Sequence, residues 1–83
     1  MELSDEARKA AAIETVQMMK ERWTSSIVPR TKVPEFTGGL FSVGHLANSD
    51  SKNRGPEGGF RIGRQKCYPI NSLLDWLVQQ LEA

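Results

Sequence analysis

Apolar residues near the N-terminus recur at i, i+4, i+7 and i+11, with one more on the flank of the stripe: Ala12, Val16, Met19, Trp23 and Ile13. This spacing predicts an amphipathic helix from Ser4 to Trp23. Ser4 is a suitable N-cap, and the acidic residues that follow it favour the positive end of a helix dipole. We expect the stripe to pack on the rest of the domain, because so short a chain needs the buried area. A self-association surface is the alternative.

A second apolar stripe lies near the C-terminus and has one aromatic residue on its flank: Leu73, Leu74, Leu77, Val78, Leu81 and Trp76. It predicts a closing helix. Ser72 and Asp75, three residues apart, resemble a capping box at its start, with Asp in place of the usual Glu.

Two shorter helices are predicted between these stripes. Residues 24–29, TSSIVP, are interpreted as a linker, and Thr31 is a candidate N-cap for the first short helix. Pro34 fits its first turn, where a missing N–H costs little. Val33 and Phe36 would form its buried face. Gly38 and Gly39 should end it, since both residues readily take the left-handed conformation.

The second short helix should begin after Ser42 as N-cap and run to about Asp50. Its inward positions are Val43, Leu46 and Ala47, at i, i+3 and i+4. Two short helices joined by a glycine-bearing turn match the pattern of a helix-turn-helix unit.

A β-hairpin is predicted next, with strands at 60–62 and 66–68 and a turn at 63–65. Phe60 and Ile62 share one face by alternation, which places Arg61 on the other. The register of the return strand stays open, and with it whether Cys67 or Tyr68 points inward.

Charge is distributed unevenly along the chain, although the formal net charge is only +1. Residues 24–68 hold seven basic and three acidic side chains, and the segments on either side are mildly acidic. A basic block of this kind favours a polyanionic partner. Ordinary solvated surface charge is the alternative.

Several classes of protein are not expected from the sequence. No apolar run is long enough to cross a bilayer, and the acidic start does not resemble a signal peptide, so we expect a cytoplasmic protein without a membrane partner. The single Cys67 excludes an internal disulfide, and the single His45 excludes a two-histidine metal site. Residues 58–65 match a phosphate-binding P-loop only by accident. We expect neither an enzyme nor a cofactor.

From about Thr31 to Leu81 the chain resembles the small winged helix-turn-helix proteins of phage excisionases and related phage or prophage regulators, relatives of MerR-type DNA-binding domains. The resemblance depends on the order and spacing of five short words: "LAN" at 46–48, "GP" at 55–56, "FRIGR" at 60–64, "YP" at 68–69 and "LLDWL" at 73–77. It implies an α+β, mostly helical fold. This would be a winged helix-turn-helix with a two-stranded hairpin wing and an extra N-terminal helix, divided into residues 1–28 and a DNA-binding domain at 29–83.

The resemblance implies sequence-specific binding of double-stranded DNA by a prokaryotic transcription regulator or excisionase-like architectural factor. Helix 42–50 would lie in the major groove and wing 60–68 on the backbone. Asn48 suits adenine, or else bonds the backbone where the helix ends. The candidate DNA-contacting residues are Ser42, Val43, His45, Asn48, Ser49, Lys52, Arg54, Arg61, Arg64 and Lys66. The alternative function is a non-catalytic protein-interaction adaptor, and the N-terminal helix is a candidate surface for a second copy or another protein.

Overall fold

The computed structural model describes residues 4–81, and the predicted features that extend to 1–3 and 82–83 lie outside them. Within this range the fold is α+β and mostly helical, as predicted, with four α-helices and a three-stranded antiparallel sheet. The elements in chain order are α1 (Asp5–Gln17) with a 3-10 extension (Met18–Arg22), β1 (Ile27–Pro29), a 3-10 turn (Arg30–Lys32), α2 (Val33–Phe36), α3 (Val43–Ser51), β2 (Phe60–Ile62), β3 (Gln65–Pro69) and α4 (Ile70–Gln79).

Helix α1 begins as the sequence predicts, because the Ala7 N–H donates to Ser4 Oγ at 3.1 Å. The apolar stripe packs inward. Val16, Met19 and Trp23 are half-buried against the core, and the Trp23 ring meets Phe36 edge-on at 5.4 Å. The stripe therefore attaches α1 to the rest of the domain.

The interpretation of residues 24–29 as a linker is wrong for its second half. Ile27–Pro29 forms β1, an edge strand that pairs antiparallel with β3 and places Val28 opposite Tyr68. Val28 is completely buried. The sheet therefore has three strands in the order β1-β3-β2 rather than the two of a simple hairpin. A three-residue strand that ends in proline has too little alternation to be recognised, and an edge position is where a sheet tolerates a residue without an N–H.

The turn between α2 and α3 follows the prediction closely. Val33 and Phe36 are buried. Gly38 and Gly39 have φ of +66° and +89°, in the left-handed region that glycine adopts without steric cost. The N-cap prediction for Thr31 is wrong. Thr31 lies within the 3-10 turn, and the residue before α2 makes no side-chain capping bond.

Helix α3 is capped as predicted, since the His45 N–H donates to Ser42 Oγ at 3.0 Å. Leu46 is completely buried, and Ala47 is half-buried. Val43 does not fill the inward position predicted for it, because it lies in the first turn of α3 and keeps 37% of its surface exposed.

The first hairpin strand is at 60–62 as predicted, whereas the second runs from Gln65 to Pro69 rather than over 66–68, so Gln65 belongs to the strand and not to the turn. The register places Arg61 opposite Lys66 and Phe60 opposite Cys67. Because β3 is the central strand, Cys67 and Tyr68 are both buried although they point to opposite faces.

The capping box predicted at Ser72 and Asp75 is wrong, since α4 starts at Ile70 directly after β3 and its N-cap, Pro69, makes no side-chain bond. The Ile70 N–H instead donates to the Ser26 carbonyl at 2.9 Å, a partner next to β1 that no local pattern shows. The predicted apolar face of α4 is buried at Leu73, Leu74 and Leu77, together with Trp76. No helix among residues 4–81 has the length and apolar character to cross a membrane.

Replacing Val28 by alanine tests whether β1 is part of the core. We expect Val28→Ala to lower the free energy of unfolding by about 2 kcal/mol, because it leaves a cavity beneath the sheet. Leu40→Ala is the matched control, since Leu40 is 72% exposed and its truncation should stay within about 0.5 kcal/mol of wild type. Chemical denaturation of both variants gives the comparison, and equal stabilities would contradict the assignment of β1 to the core.

Candidate functional site

Three polar side chains from different parts of the chain meet between α3 and the sheet: Arg30, Asp50 and Tyr68. The Tyr68 hydroxyl donates to Asp50 Oδ2, which also accepts from the Arg30 guanidinium at 2.6 Å. Arg30 Nε donates to the Tyr68 hydroxyl oxygen at 3.0 Å. The Arg30–Asp50–Tyr68 cluster is largely shielded, with 18% of the Arg30 and Asp50 side chains exposed. It joins the last turn of α3 to the central strand.

The surroundings of the cluster favour the neutral tyrosine and the charged arginine. Burial raises the pKa of Tyr68 to about 12, and the hydrogen bond to Asp50 adds to the shift. The hydrogen bond to Tyr68 raises the pKa of Arg30. Arg30 and Asp50 offset each other's charge, so neither contributes a net charge to the nearby surface.

The loop after α3 is held against this cluster. A Cβ at Gly55 would lie 1.9 Å from Asp50 Oδ1, so only glycine lets the loop pass so close to the carboxylate. The Arg54 N–H donates to the Ser49 carbonyl at 2.8 Å, and the Arg54 carbonyl accepts from Trp76 Nε1 at 2.7 Å. The path from α3 to the hairpin is therefore attached to both α3 and α4.

The basic face of the hairpin is the face that carries Tyr68. Lys66 alternates with Tyr68 along β3, and Arg61 is directly opposite Lys66, so all three side chains share one face of the sheet. The Lys66 stem and the Tyr68 ring both lie against Gly59. Because Tyr68 reaches Asp50 on α3, the hairpin turns its basic face to the side of the sheet on which α3 lies.

The outer surface of α3 is formed by small or uncharged residues. His45 and Asn48 are exposed there, and the His45 ring lies 5.0 Å from the Phe41 ring. The Asn48 amide has no hydrogen-bond partner within residues 4–81, and α3 continues for three residues beyond it. The asparagine that ends this region is Asn53, with φ of +56°. The alternative hypothesis, that Asn48 bonds the backbone where the helix ends, is therefore not what the structure shows.

The structure places the ten predicted contact residues on two neighbouring elements and the loop between them. Ser42 is exposed, but its hydroxyl oxygen already accepts the capping bond. Ser49 and Lys66 are half-buried. The exposed members are Ser42, Val43, His45, Asn48, Lys52, Arg54, Arg61 and Arg64.

Sequence reasoning missed the Arg30–Asp50–Tyr68 cluster and the role of Gly55 beside it. An arginine, an aspartate and a tyrosine separated by 20 and 18 positions leave no local pattern. Only the pairing of β1 with β3 and the docking of α3 bring them together.

Positive charge is concentrated in the loop and hairpin. Residues 51–68 carry five bases and one acid, which are Lys52, Arg54, Arg61, Arg64, Lys66 and Glu57. Within residues 4–81 the ion pairs are Arg30–Asp50 and an exposed Lys32–Glu35 contact at 3.8 Å, so none of these five bases has an acidic partner there. In the same range no group of three or more His, Cys, Asp or Glu side chains could hold a metal ion.

Comparison of the chain with protein-family models, with curated proteins and with solved structures finds no match.

The raised pKa of Tyr68 predicts a loss of stability at alkaline pH. Below pH 10 the phenol is neutral in both the folded and the unfolded chain. Between pH 10 and about 12 the unfolded chain loses the proton first, which stabilises the unfolded state by up to about 3 kcal/mol. Tyr68→Phe should be less stable than the wild type at neutral pH, and it should not show this loss of stability between pH 10 and about 12. Denaturation curves at several pH values measure both effects.

Tyr68 is the only tyrosine of the chain, so tyrosinate absorbance of the folded protein reports its ionisation directly. A midpoint near 10 in the native state would contradict the shielding of the cluster.

Proposed function

We propose that the chain is a winged helix-turn-helix protein that binds double-stranded DNA, with α3 in the major groove and the hairpin 60–68 as a wing on the sugar-phosphate backbone. The observation that carries the proposal is the cross-strand pair of Arg61 and Lys66. Like charges directly opposite one another destabilise an antiparallel pair, and no acid among residues 4–81 compensates these two. An anionic ligand would make that arrangement favourable.

The form of the wing suits a phosphate backbone. Arg64 lies in the turn, and the Arg61 guanidinium donates to the Arg64 carbonyl at 3.4 Å, which places the Arg61 guanidinium at the turn end of a thin hairpin that also carries Arg64. Lysine and arginine side chains on such an element can approach phosphates and release condensed counterions. Lys52 and Arg54, in the loop that leads to the wing, extend the basic surface toward α3.

Helix α3 supplies the contacts that read base pairs in this proposal. His45, Asn48 and Lys52 follow one another at i, i+3 and i+7, which places them along one exposed side. The Asn48 amide is unoccupied by the described chain and has the donor and acceptor needed for the N6 and N7 atoms of adenine. The segment 43–51 contains no arginine or lysine, so guanine recognition by a bidentate basic side chain is not available within the helix.

The wing assignment predicts a salt-dependent, sequence-independent loss of affinity when its bases are removed. We expect Arg61→Ala and Arg64→Ala to weaken binding equally on all duplexes and each to reduce the slope of log affinity against log salt by about 1. Fluorescence anisotropy with labelled duplexes at several salt concentrations measures both quantities. Lys9→Ala on the exposed side of α1 is the matched control and should leave the slope unchanged.

Arg61→Ala should also keep or raise the melting temperature, because it removes the repulsion from Lys66. Binding that does not respond to salt, or an absence of binding by the wild type at low salt, would overturn the proposal.

The assignment of Asn48 predicts a change of specificity at one base pair. In a selection from random duplexes, the wild type should recover sites with adenine at a fixed position. Asn48→Ala should relax that position, with a loss of discrimination of about 1–3 kcal/mol. Its salt dependence should stay that of the wild type, since Asn48 contacts no phosphate in this arrangement. An unchanged preference in the variant would remove Asn48 from the reading surface.

A protein-interaction adaptor is the second candidate function, and one observation favours it. Phe60 and Ile62 share the wing face opposite the basic one and are 38% and 58% exposed. Apolar side chains on a solvated hairpin suit a protein partner. Phe60→Ser and Ile62→Ser separate the two functions, since DNA binding should survive these changes and capture of a protein partner should not.

A further inference from the structure

Gly44, the second residue of α3, has no role in the fold that requires glycine. Its φ lies outside the left-handed region, and a Cβ added there would meet only Ser42 Oγ, at 3.9 Å. Glycine within a helix is less favourable than alanine because it loses more conformational freedom on folding. The fold therefore loses stability at Gly44 without a packing gain.

Five other glycines have a structural reason. Gly38, Gly39, Gly58 and Gly63 have positive φ, and a Cβ at Gly55 would lie 1.9 Å from Asp50 Oδ1. A Cβ at Gly59 would meet the flexible end of the Lys66 side chain, at 2.8 Å. Gly44 has neither a positive φ nor a neighbour closer than 3.9 Å.

Gly44 lies on the exposed side of α3, where the absence of a side chain leaves space for another molecule. Gly44 and Asn48 are four residues apart, so they lie one above the other on the same side of α3, and both are exposed. Glycine on an exposed helix face allows another molecule to approach the backbone closely. The Asn48 amide on the same face, which has no hydrogen-bond partner in the part of the chain that the structure describes, is a second feature that suits such a molecule.

We propose that Gly44 is the point at which DNA comes closest to α3, and that its lack of a side chain sets the depth at which the helix enters the major groove. This inference rests on the proposed DNA-binding function. A methyl group at position 44 would hold the helix away from the base edges and lengthen the contact that Asn48 makes.

A series of substitutions at position 44 separates binding from folding. Gly44→Ala and Gly44→Leu both add helix propensity, so each should keep or raise the melting temperature, with a rise of about 2–6 °C for alanine. Both should weaken binding to a duplex selected by the wild type. We expect roughly a tenfold loss for alanine, since an extra methyl in a close contact is poorly tolerated, and a larger loss for leucine.

Thr15→Ala is the control for stabilisation alone. Thr15 is exposed on α1 and bonds the Ala11 carbonyl within its own helix, so this change also favours helix formation without touching α3. It should raise the melting temperature and leave DNA affinity unchanged.

The outcomes distinguish this inference from the function on which it rests. If the wild type binds no duplex at low salt, the DNA-binding proposal fails and the role of Gly44 fails with it. If the wild type binds and the alanine and leucine variants bind equally well, only the role of Gly44 is overturned. A fall in melting temperature for Gly44→Ala would also overturn it, because the fold itself would then require glycine.

Discussion

The Tyr68 hydroxyl is the contact on which the arrangement of the two surface elements depends. It donates to Asp50 in the last turn of α3 and accepts from Arg30, which follows β1. A buried hydroxyl without partners would destabilise the fold, so Tyr68 can occupy its position only when α3 and the 3-10 turn after β1 are both in place. The orientation of the hairpin relative to α3 is thereby coupled to core formation.

The central position of β3 explains why so small a domain can maintain this geometry. β1 and β2 pair with its two edges, and α4 continues from its last residue, so the sheet and the closing helix form one unit. Trp76 on α4 then holds the Arg54 carbonyl and faces the Phe41 ring at 5.1 Å. Two tryptophan N–H groups, those of Trp23 and Trp76, hold backbone carbonyls next to irregular segments. The segments before β1 and after α3 are thereby attached to the core.

Features that depend on neighbouring residues could be predicted from the sequence, and contacts between distant parts of the chain could not. The caps at Ser4 and Ser42 and the double-glycine turn depend on neighbouring residues alone, and the structure confirms them. Strand β1 exists because β3 offers an edge on which Val28 can be buried, and α4 starts at Ile70 because the Ser26 carbonyl accepts its N–H. The cluster of Arg30, Asp50 and Tyr68 also depends on long-range pairing. The sequence therefore predicts the basic block but not the ion pair between Arg30 and Asp50 within it.

That internal pairing sharpens the functional argument. Within the basic block 24–68, Arg30 and Lys32 have acidic partners, so the bases without one lie beyond Ser51, in the loop and hairpin. Helix α3 is left with a nearly neutral outer face. In the proposed complex, affinity and sequence discrimination would then come from different elements. Phosphate contacts by the hairpin position a protein without reading sequence, while a helix with small and amide side chains can approach base edges closely. The glycine at position 44, which the fold does not require, and the Asn48 amide, which has no hydrogen-bond partner within residues 4–81, both suit the second task.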